Sequence, residues 1–430
     1  MNKYLSISLS IAIFLIFAYT LFENALNAPS FDDYDTTINF IQDFYFKNHS
    51  FESKADILLS RHNEHRILFS KSCAALYYYF FKQINFRHLV IFQNIFLLGF
   101  FGLMLFILKS RKLLLPETAL WSSLFLFSLS FWQVTFYYWG GIQHYTVFFF
   151  CFLSLFLLGK SEKPISGNFF TAILSAIFAV LSFGNGFLVL FLGAFILFAS
   201  KKHQLLTIWI LFSTGLLLFT FWPALSTGGN GLAGTNLNWM ARLLLTFLGS
   251  FVYINPSSGQ PLNIVVCMIV GLGVILTWFW LFLKGYAFKN PVLYCLLSLP
   301  ILTGIIVAIS RFESKAAGGI APRYMFFTAT IPVLLVVILM DLQILKIRHL
   351  KAISFAGLLI WAASFYNNRN ATVLNNSEIT ANLDKWSQDR NTRLIYYKSA
   401  DEYSKILNWA LTQKVLSIPN EKSKIANDSK

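Results

Sequence analysis

Charge is what this sequence has least of. Only 12% of its 430 residues are Asp, Glu, Lys or Arg, against roughly 25% in soluble domains, and that scarcity excludes an ordinary water-soluble chain. The long apolar runs are almost free of ionisable groups. A transporter of ions or charged solutes keeps such groups near the bilayer midplane, so this lack disfavours that class. The cysteines, Cys73, Cys151, Cys267 and Cys295, have no metal-ligand spacing, and three of them fall inside apolar runs as small core residues. Internal repeats and matched halves are also missing. No small-x-small cleavage site follows the first apolar run convincingly, so residues 4–22 are expected to be an uncleaved first span, with a cleaved signal as the alternative.

Phenylalanine, by contrast, is abundant at 47 residues, and 56% of the chain is hydrophobic. The apolar residues fall in blocks of about 18 to 22, the length that matches a bilayer's hydrocarbon core. This predicts an all-α polytopic membrane protein of about eleven transmembrane helices, near 4–22, 88–108, 117–136, 142–159, 168–183, 186–200, 204–222, 262–283, 291–310, 324–345 and 352–366. The basic residues gather in KSRK (109–112), KSEK (160–163), KK (201–202), KGYAFK (284–289) and KIRHLK (346–351). These connections follow every second span, as the positive-inside rule requires of cytoplasmic loops. The net charge of +15 therefore marks topology and not nucleic-acid binding. A multi-pass protein of a bacterial cytoplasmic (inner) membrane is expected, with the N-terminus cytoplasmic and the C-terminus extracytoplasmic.

The organisation read from this pattern is a transmembrane module over 1–366 and a small extracytoplasmic helical tail over 367–430. The first outer loop, 23–87, is long enough to contain short helices. The apolar stretch 238–254 is too short for a span and reads as an interfacial or re-entrant helix. Asparagines 367, 368, 370, 375 and 376 read as a linker. Residues 400–415 form an amphipathic pattern with Tyr403, Ile406, Leu407, Ala410 and Leu411 on one face, suited to capping the outer surface.

Candidate chemistry sits at the outer water interface. FDDYD (31–35) places Asp32 and Asp33 about ten residues beyond the first span. A carboxylate there suits a general base toward an acceptor hydroxyl, and the pair suits a divalent cation such as Mg or Mn; a helix N-cap is the plainer alternative. RHNEHR (61–66) supplies Glu64, His65 and Arg66, with Arg66 suited to an anion and Glu64 to orienting it, or else forms a self-paired surface cluster. In RFESKAAGGIAPRY (311–324), Arg311, Arg323 and Tyr324 suit a lipid phosphate or a phosphate leaving group; the alternative for Arg323 is an interfacial anchor. Gln143, His144, Asn185, Asn230 and Asn236 are candidates to line the same cavity.

A first span, a long outer loop opening on an acidic pair, many spans and a late outer Arg-Tyr together resemble the GT-C superfamily of membrane glycosyltransferases. The closest likeness is to the bacterial protein mannosyltransferase and aminoarabinose transferase type. RHNEHRILFSK and APRYMFFTATIP are similar to stretches of bacterial relatives, and the likeness in layout covers roughly 1–345. The resemblance implies inverting transfer of a sugar from a polyprenyl-phosphate donor to an extracytoplasmic glycan, lipid or protein acceptor. It puts Asp33 first and Asp32 second as catalytic base, and the donor phosphate at Arg323 or Arg66. Two departures stand out: YYWGGIQHY (137–145) lacks the acidic residue several members carry there, and the tail after 366 is short for an acceptor-binding domain. A surface-polysaccharide polymerase or ligase is the second reading, and a non-enzymatic lipid or polysaccharide transporter the third.

Overall fold

A backbone without water must bond its own N–H and C=O groups, which restricts a lipid-exposed chain to helices or closed barrels. The computed structural model describes residues 3–47, 50–62, 65–226, 236–254, 261–311, 320–392, 394 and 400–417, and it is helical almost throughout. Helix α1 (Lys3–Asn24) leads to two π-helical turns (Tyr34–Asn39 and Gln42–Phe46), α2 (Phe51–Leu59), a hairpin of β1 (Arg61–His62) and β2 (His65–Arg66), and α3 (Leu68–Phe81). Then come α4 (Phe86–Ser110), α5 (Pro116–Leu126), α6 (Trp132–Phe136), α7 (Tyr138–Lys160), α8 (Gly167–Val180), α9 (Leu188–Ala199) and α10 (His203–Ser226). The chain continues through α11 (Leu237–Leu248), α12 (Pro261–Leu283), α13 (Tyr286–Lys289), α14 (Pro291–Arg311), α15 (Pro322–Asp341), α16 (Ile347–Gln388) and α17 (Ala400–Thr412).

Among the described residues, 8 helices are long and apolar enough to cross a membrane: α1, α4, α7, α10, α12, α14, α15 and α16. Three of the expected spans are not such helices. Residues 117–136 break into α5 and α6, with 127–131 irregular between them. Side chains of α4 meet the carbonyls at the junction of α6 with α7: Gln93 Nε2 donates to Val134 O (3.0 Å), Thr135 O (3.3 Å) and Tyr137 O (3.3 Å), and Asn94 Nδ2 to Thr135 O (2.9 Å). The expected spans 168–183 and 186–200 fold as α8 and α9, of 14 and 12 residues. At 1.5 Å per residue these reach about 21 and 18 Å, short of the roughly 30 Å hydrocarbon core. The stretch 238–254 contains the 12-residue α11, also too short to cross, and its end meets α12 where Gly249 and Gly271 approach backbone so closely that a Cβ would lie 1.9 and 2.0 Å from Cys267 O and Leu245 O.

The asparagine-rich segment is not a linker. It lies inside α16, which runs 42 residues without interruption. Asparagine is a poor helix former, but tertiary partners override a propensity of a few tenths of a kcal/mol per residue. Asn367 donates to Ile254 O (3.2 Å) and Asn376 to Asn24 O (2.8 Å), while Asn368 donates within the helix to Ser364 O (2.7 Å). The amphipathic pattern at 400–415 does form α17, with Tyr403, Leu407 and Ala410 buried.

The span windows of α7, α14 and α15 are 78%, 78% and 83% buried, whereas those of α1, α10, α12 and α16 are 22–28% buried. The first set forms the centre and the second faces the surrounding lipid. Phenylalanines fill that centre, with Phe326 against the rings of Phe100, Phe131, Tyr145 and Phe148. Between apolar helices in lipid such packing, and not water exclusion, supplies the attraction. The basic connections share one end of the bundle: Lys202 pairs with Glu162 (3.0 Å), Lys351 with Glu117 (3.6 Å), Tyr286 donates to Asp341 (2.8 Å), and Lys160 lies over Phe106. At the other end Arg369 of α16 pairs with Glu23 at the end of α1 (3.2 Å). Replacing Gln93 with Leu should take the side-chain donor from Val134 O in a dry interior and destabilise the fold by about 1–3 kcal/mol, read as a lower thermal midpoint in detergent. An unchanged midpoint would mean that the α6–α7 junction needs no support from Gln93.

Candidate functional site

The shortness of α8 and α9 creates the site. Their connecting turn stops well below the end of α14: Asn185 Nδ2 donates to Thr303 Oγ1 (3.0 Å), and Thr303 lies about 12 Å along the helix from Arg311 at 1.5 Å per residue. The hairpin of the first loop dips into this recess. The His65 ring packs on the turn, 4.8 Å from the Phe183 ring, and Gly184 makes room for it, since a Cβ there would lie 2.2 Å from His65 Nδ1. Arg61 donates to Thr220 O, and Arg66 donates to Leu59 O and Phe219 O with its guanidinium 4.8 Å over the Phe219 ring. Lys71 secures the approach to the hairpin by donating to Ile57 O (2.9 Å), Ser60 O (2.9 Å) and Ser60 Oγ (2.6 Å). Burial, with the charge of Arg66 nearby, brings its pKa down to about 8 despite the opposing carboxylate of Asp43.

The recess holds a cavity of about 200 Å³, lined by Arg61, His65, Arg66, Arg311 and Tyr324, with Asn185 and Thr303 as further polar groups and phenylalanine, valine and isoleucine walls. Five expected residues, His65, Arg66, Asn185, Arg311 and Tyr324, are thus brought together from segments far apart in sequence. No carboxylate lines this cavity among the described residues. An apolar wall carrying several guanidinium groups suits an anion joined to an apolar body. Glu64 lies outside the described residues, as does Asn230.

Arg323 takes another place. Its guanidinium stands over Trp139 (5.7 Å) and Tyr324 (5.0 Å), beside the cavity and not on its wall. His144 also lies behind the wall, its ring between Phe183 and Phe327 at 4.8 Å each and its Nδ1 against Gly140 O (2.7 Å). Gln143 is buried away from the cavity. Asn236 caps α11 by accepting from Trp239 N (3.1 Å).

The two adjacent aspartates have different surroundings. Asp33 is 1% exposed; its Oδ2 accepts from Ser30 N (3.0 Å) and its Oδ1 from Trp139 N (3.0 Å) in the first turn of α7. A carboxylate at a helix N-terminus meets amides that have no partner within the helix, so Asp33 pins the first loop to α7. Burial raises its pKa well above the ordinary value, with Asp32 adding to the rise and the two amides opposing it. Asp32 keeps 28% of its side chain exposed, and its Oδ2 lies 3.9 Å from His62 Nε2. That histidine belongs to a second, polar pocket of about 300 Å³ containing Asp35, Asn39, Asp43, Ser60 and Lys71, and Arg61 lines both pockets. Asp33 directs both oxygens at amides, and among the described residues no group of three or more His, Cys, Asp or Glu is placed to hold a metal ion.

Sequence reasoning did not single out Arg61 above its neighbours, or Thr303 at all. Arg61 belonged to a recognised cluster; Thr303 carries no signal inside an apolar run. No family model, curated protein or solved structure matches the chain.

Two outcomes follow from this geometry. Asp33 binds its proton more tightly folded than unfolded, so the stability it contributes is full below the unfolded value near 3.9 and is lost as pH rises through the raised folded value. Thermal midpoints measured across that range should fall with pH in the wild type and flatten in Asp33→Asn; parallel curves would refute the assignment. Gly184→Ala should displace His65 and shift its imidazole resonances, while Gly215→Ala, where a Cβ meets nothing, should leave them in place.

Proposed function

We propose that this chain is a membrane glycosyltransferase of the GT-C kind, transferring a sugar from a polyprenyl-phosphate donor to an extracytoplasmic acceptor with inversion. The observation that carries this reading is the convergence of Arg61, Arg66 and Arg311 on one apolar-walled cavity at the end of the bundle opposite the basic connections. With those connections in the cytoplasm, the cavity faces the outer leaflet, the N-terminus is cytoplasmic and the C-terminus extracytoplasmic. Counting α5–α6, α8 and α9 as recessed or broken crossings gives eleven, in keeping with this alternation. A bacterial cytoplasmic membrane is the setting in which such donors occur.

In this mechanism the donor phosphate lies among the arginines, and its isoprenoid tail leaves along the apolar wall toward lipid. The acceptor hydroxyl approaches from the polar pocket that shares Arg61. Asp32 takes the acceptor's proton; it is the more open of the two carboxylates, while Asp33 holds the loop on α7. The acceptor oxygen then bonds the anomeric carbon as the bond from that carbon to the phosphate oxygen breaks, and the polyprenyl phosphate leaves with the electron pair. The guanidinium groups stabilise the charge that grows on it. No step is assigned to a metal.

The test is sugar transfer in membranes from a radiolabelled mixture of polyprenyl-phosphate sugars. Asp32→Asn should lower transfer by about 10²–10⁴-fold, the usual scale for a lost general base, with its thermal midpoint kept. Arg66→Gln should cost about 10²–10³-fold, as for a lost charge stabiliser. Equal transfer by wild type and Asp32→Asn would remove the base from the mechanism, and no transfer by the wild type from any such donor would remove the reading itself.

A further inference from the structure

Asp35, Asn39 and Asp43 recur at four-residue intervals along the π-helical turns Tyr34–Asn39 and Gln42–Phe46, a spacing that keeps them on one side of a helical segment. All three line the polar pocket of about 300 Å³, together with Arg61 and His62 of the hairpin and Lys71 of α3. Asn39 is partly exposed, and its amide makes no hydrogen bond among the described residues. Asp43 keeps 30% of its side chain exposed, and its Oδ1 pairs with Lys47 Nζ (2.5 Å). Lys71 differs from these, because its donors already go to Ile57 O, Ser60 O and Ser60 Oγ. It brings charge to the pocket and little else.

The lining sets Asp35 and Asp43 against Arg61 and Lys71, so acidic and basic groups balance. An anion gains nothing from such a lining, unlike in the neighbouring cavity with its arginines. An alkyl chain would take water from polar walls and return no hydrogen bonds. A peptide would offer them a single side-chain hydroxyl. A hydroxyl both donates and accepts, so a ring carrying several of them can meet carboxylates, an amide and a guanidinium together.

We propose that this pocket binds a neutral saccharide through Asn39, Asp43 and Arg61, and that the acceptor is a glycan and not a protein or a lipid. The acceptor role rests on the transfer reading above; the affinity for a saccharide rests on the pocket alone. Asp32 lies 3.9 Å from His62 of this pocket. It meets one hydroxyl of a ring whose other hydroxyls are held, which selects the hydroxyl that loses its proton.

The experiment is saturation-transfer NMR on the full-length protein in nanodiscs free of glycoside detergent. Its probes are neutral disaccharides of glucose, galactose, mannose and N-acetylglucosamine, and a peptide of zero net charge bearing serine and threonine. Wild type should bind at least one disaccharide and not the peptide. Asn39→Ala should weaken that binding by about 3- to 10-fold, the worth of one hydrogen bond, and Asp43→Ala by about 10-fold or more, as for a charged partner. Lys47→Gln removes only the exposed partner of Asp43 and should leave binding unchanged, which separates the pocket contact from loss of the ion pair. Binding of the peptide in place of every disaccharide overturns the inference, as does disaccharide binding that Asn39→Ala and Asp43→Ala both leave intact. Binding of no disaccharide overturns it too, and the transferase reading stands if sugar transfer proceeds. Disaccharide binding with the expected losses, but no transfer from any polyprenyl-phosphate sugar, keeps the saccharide site and removes that reading.

Discussion

Two helices shorter than the bilayer is thick impose a shape on everything around them. Because α8 and α9 end early, their turn lies beneath the ends of α14 and α15, and the space above it must be filled by protein or by ligand. The hairpin at 61–66 fills part of it, bringing Arg61, His65 and Arg66 beside Arg311 and Tyr324. Guanidinium groups are tolerated at this depth because backbone carbonyls of α10 at Phe219 and Thr220 receive them. The irregular backbone is permitted for the same reason, since it is enclosed by protein and not by lipid. The cavity is what remains of a mismatch in length.

Holding a loop in such a recess requires ties at both of its ends. On one side Asp33 binds the first turn of α7 through Trp139 N. On the other, Lys71 gathers the carbonyls of Ile57 and Ser60 immediately before the hairpin. The C-terminal helix adds a third tie: the Tyr403 ring lies 4.6 Å from that of Tyr34, with the carboxylate of Asp35 close to its hydroxyl. The acidic cluster FDDYD thus divides its work, with Asp33 fastening the loop to the bundle, Asp35 lining the polar pocket, and Asp32 left beside His62 of that pocket.

Much of this could be read from sequence, and the rest fails for identifiable reasons. Apolar blocks and basic connections are strong signals because the bilayer forbids alternatives, so the membrane class and the common end of the basic loops emerged directly. The runs at 168–183 and 186–200 have the composition of spans, but composition does not reveal where a helix ends early in a turn such as SFGNG. The division of 117–136 and the α6–α7 junction were hidden because the side chains that bond the junction, Gln93 and Asn94, lie some forty residues upstream in an otherwise apolar helix. The asparagines of 367–376 were misread since their partners, Asn24 and Ile254 among them, are distant in sequence. Of the site residues, charge made His65, Arg66, Arg311 and Tyr324 visible in their segments; that they meet at one point is a fact of topology alone.

Helix α16 has a consequence for how the C-terminal cap is held. It leaves the basic end and continues beyond the span to Gln388, a length of about 63 Å at 1.5 Å per residue. At its far end Trp386 is fully buried, donates to Ser404 Oγ (2.6 Å) and carries Arg390 on its ring face (3.9 Å). A continuous helix has no slack, so the cap is phased to the bundle like a key on a shaft. One residue added within the span would raise Trp386 by about 1.5 Å and swing it by about 100°, turning it out of register with α17. The seating of the first loop is in this way indexed to residue count on the far side of the membrane.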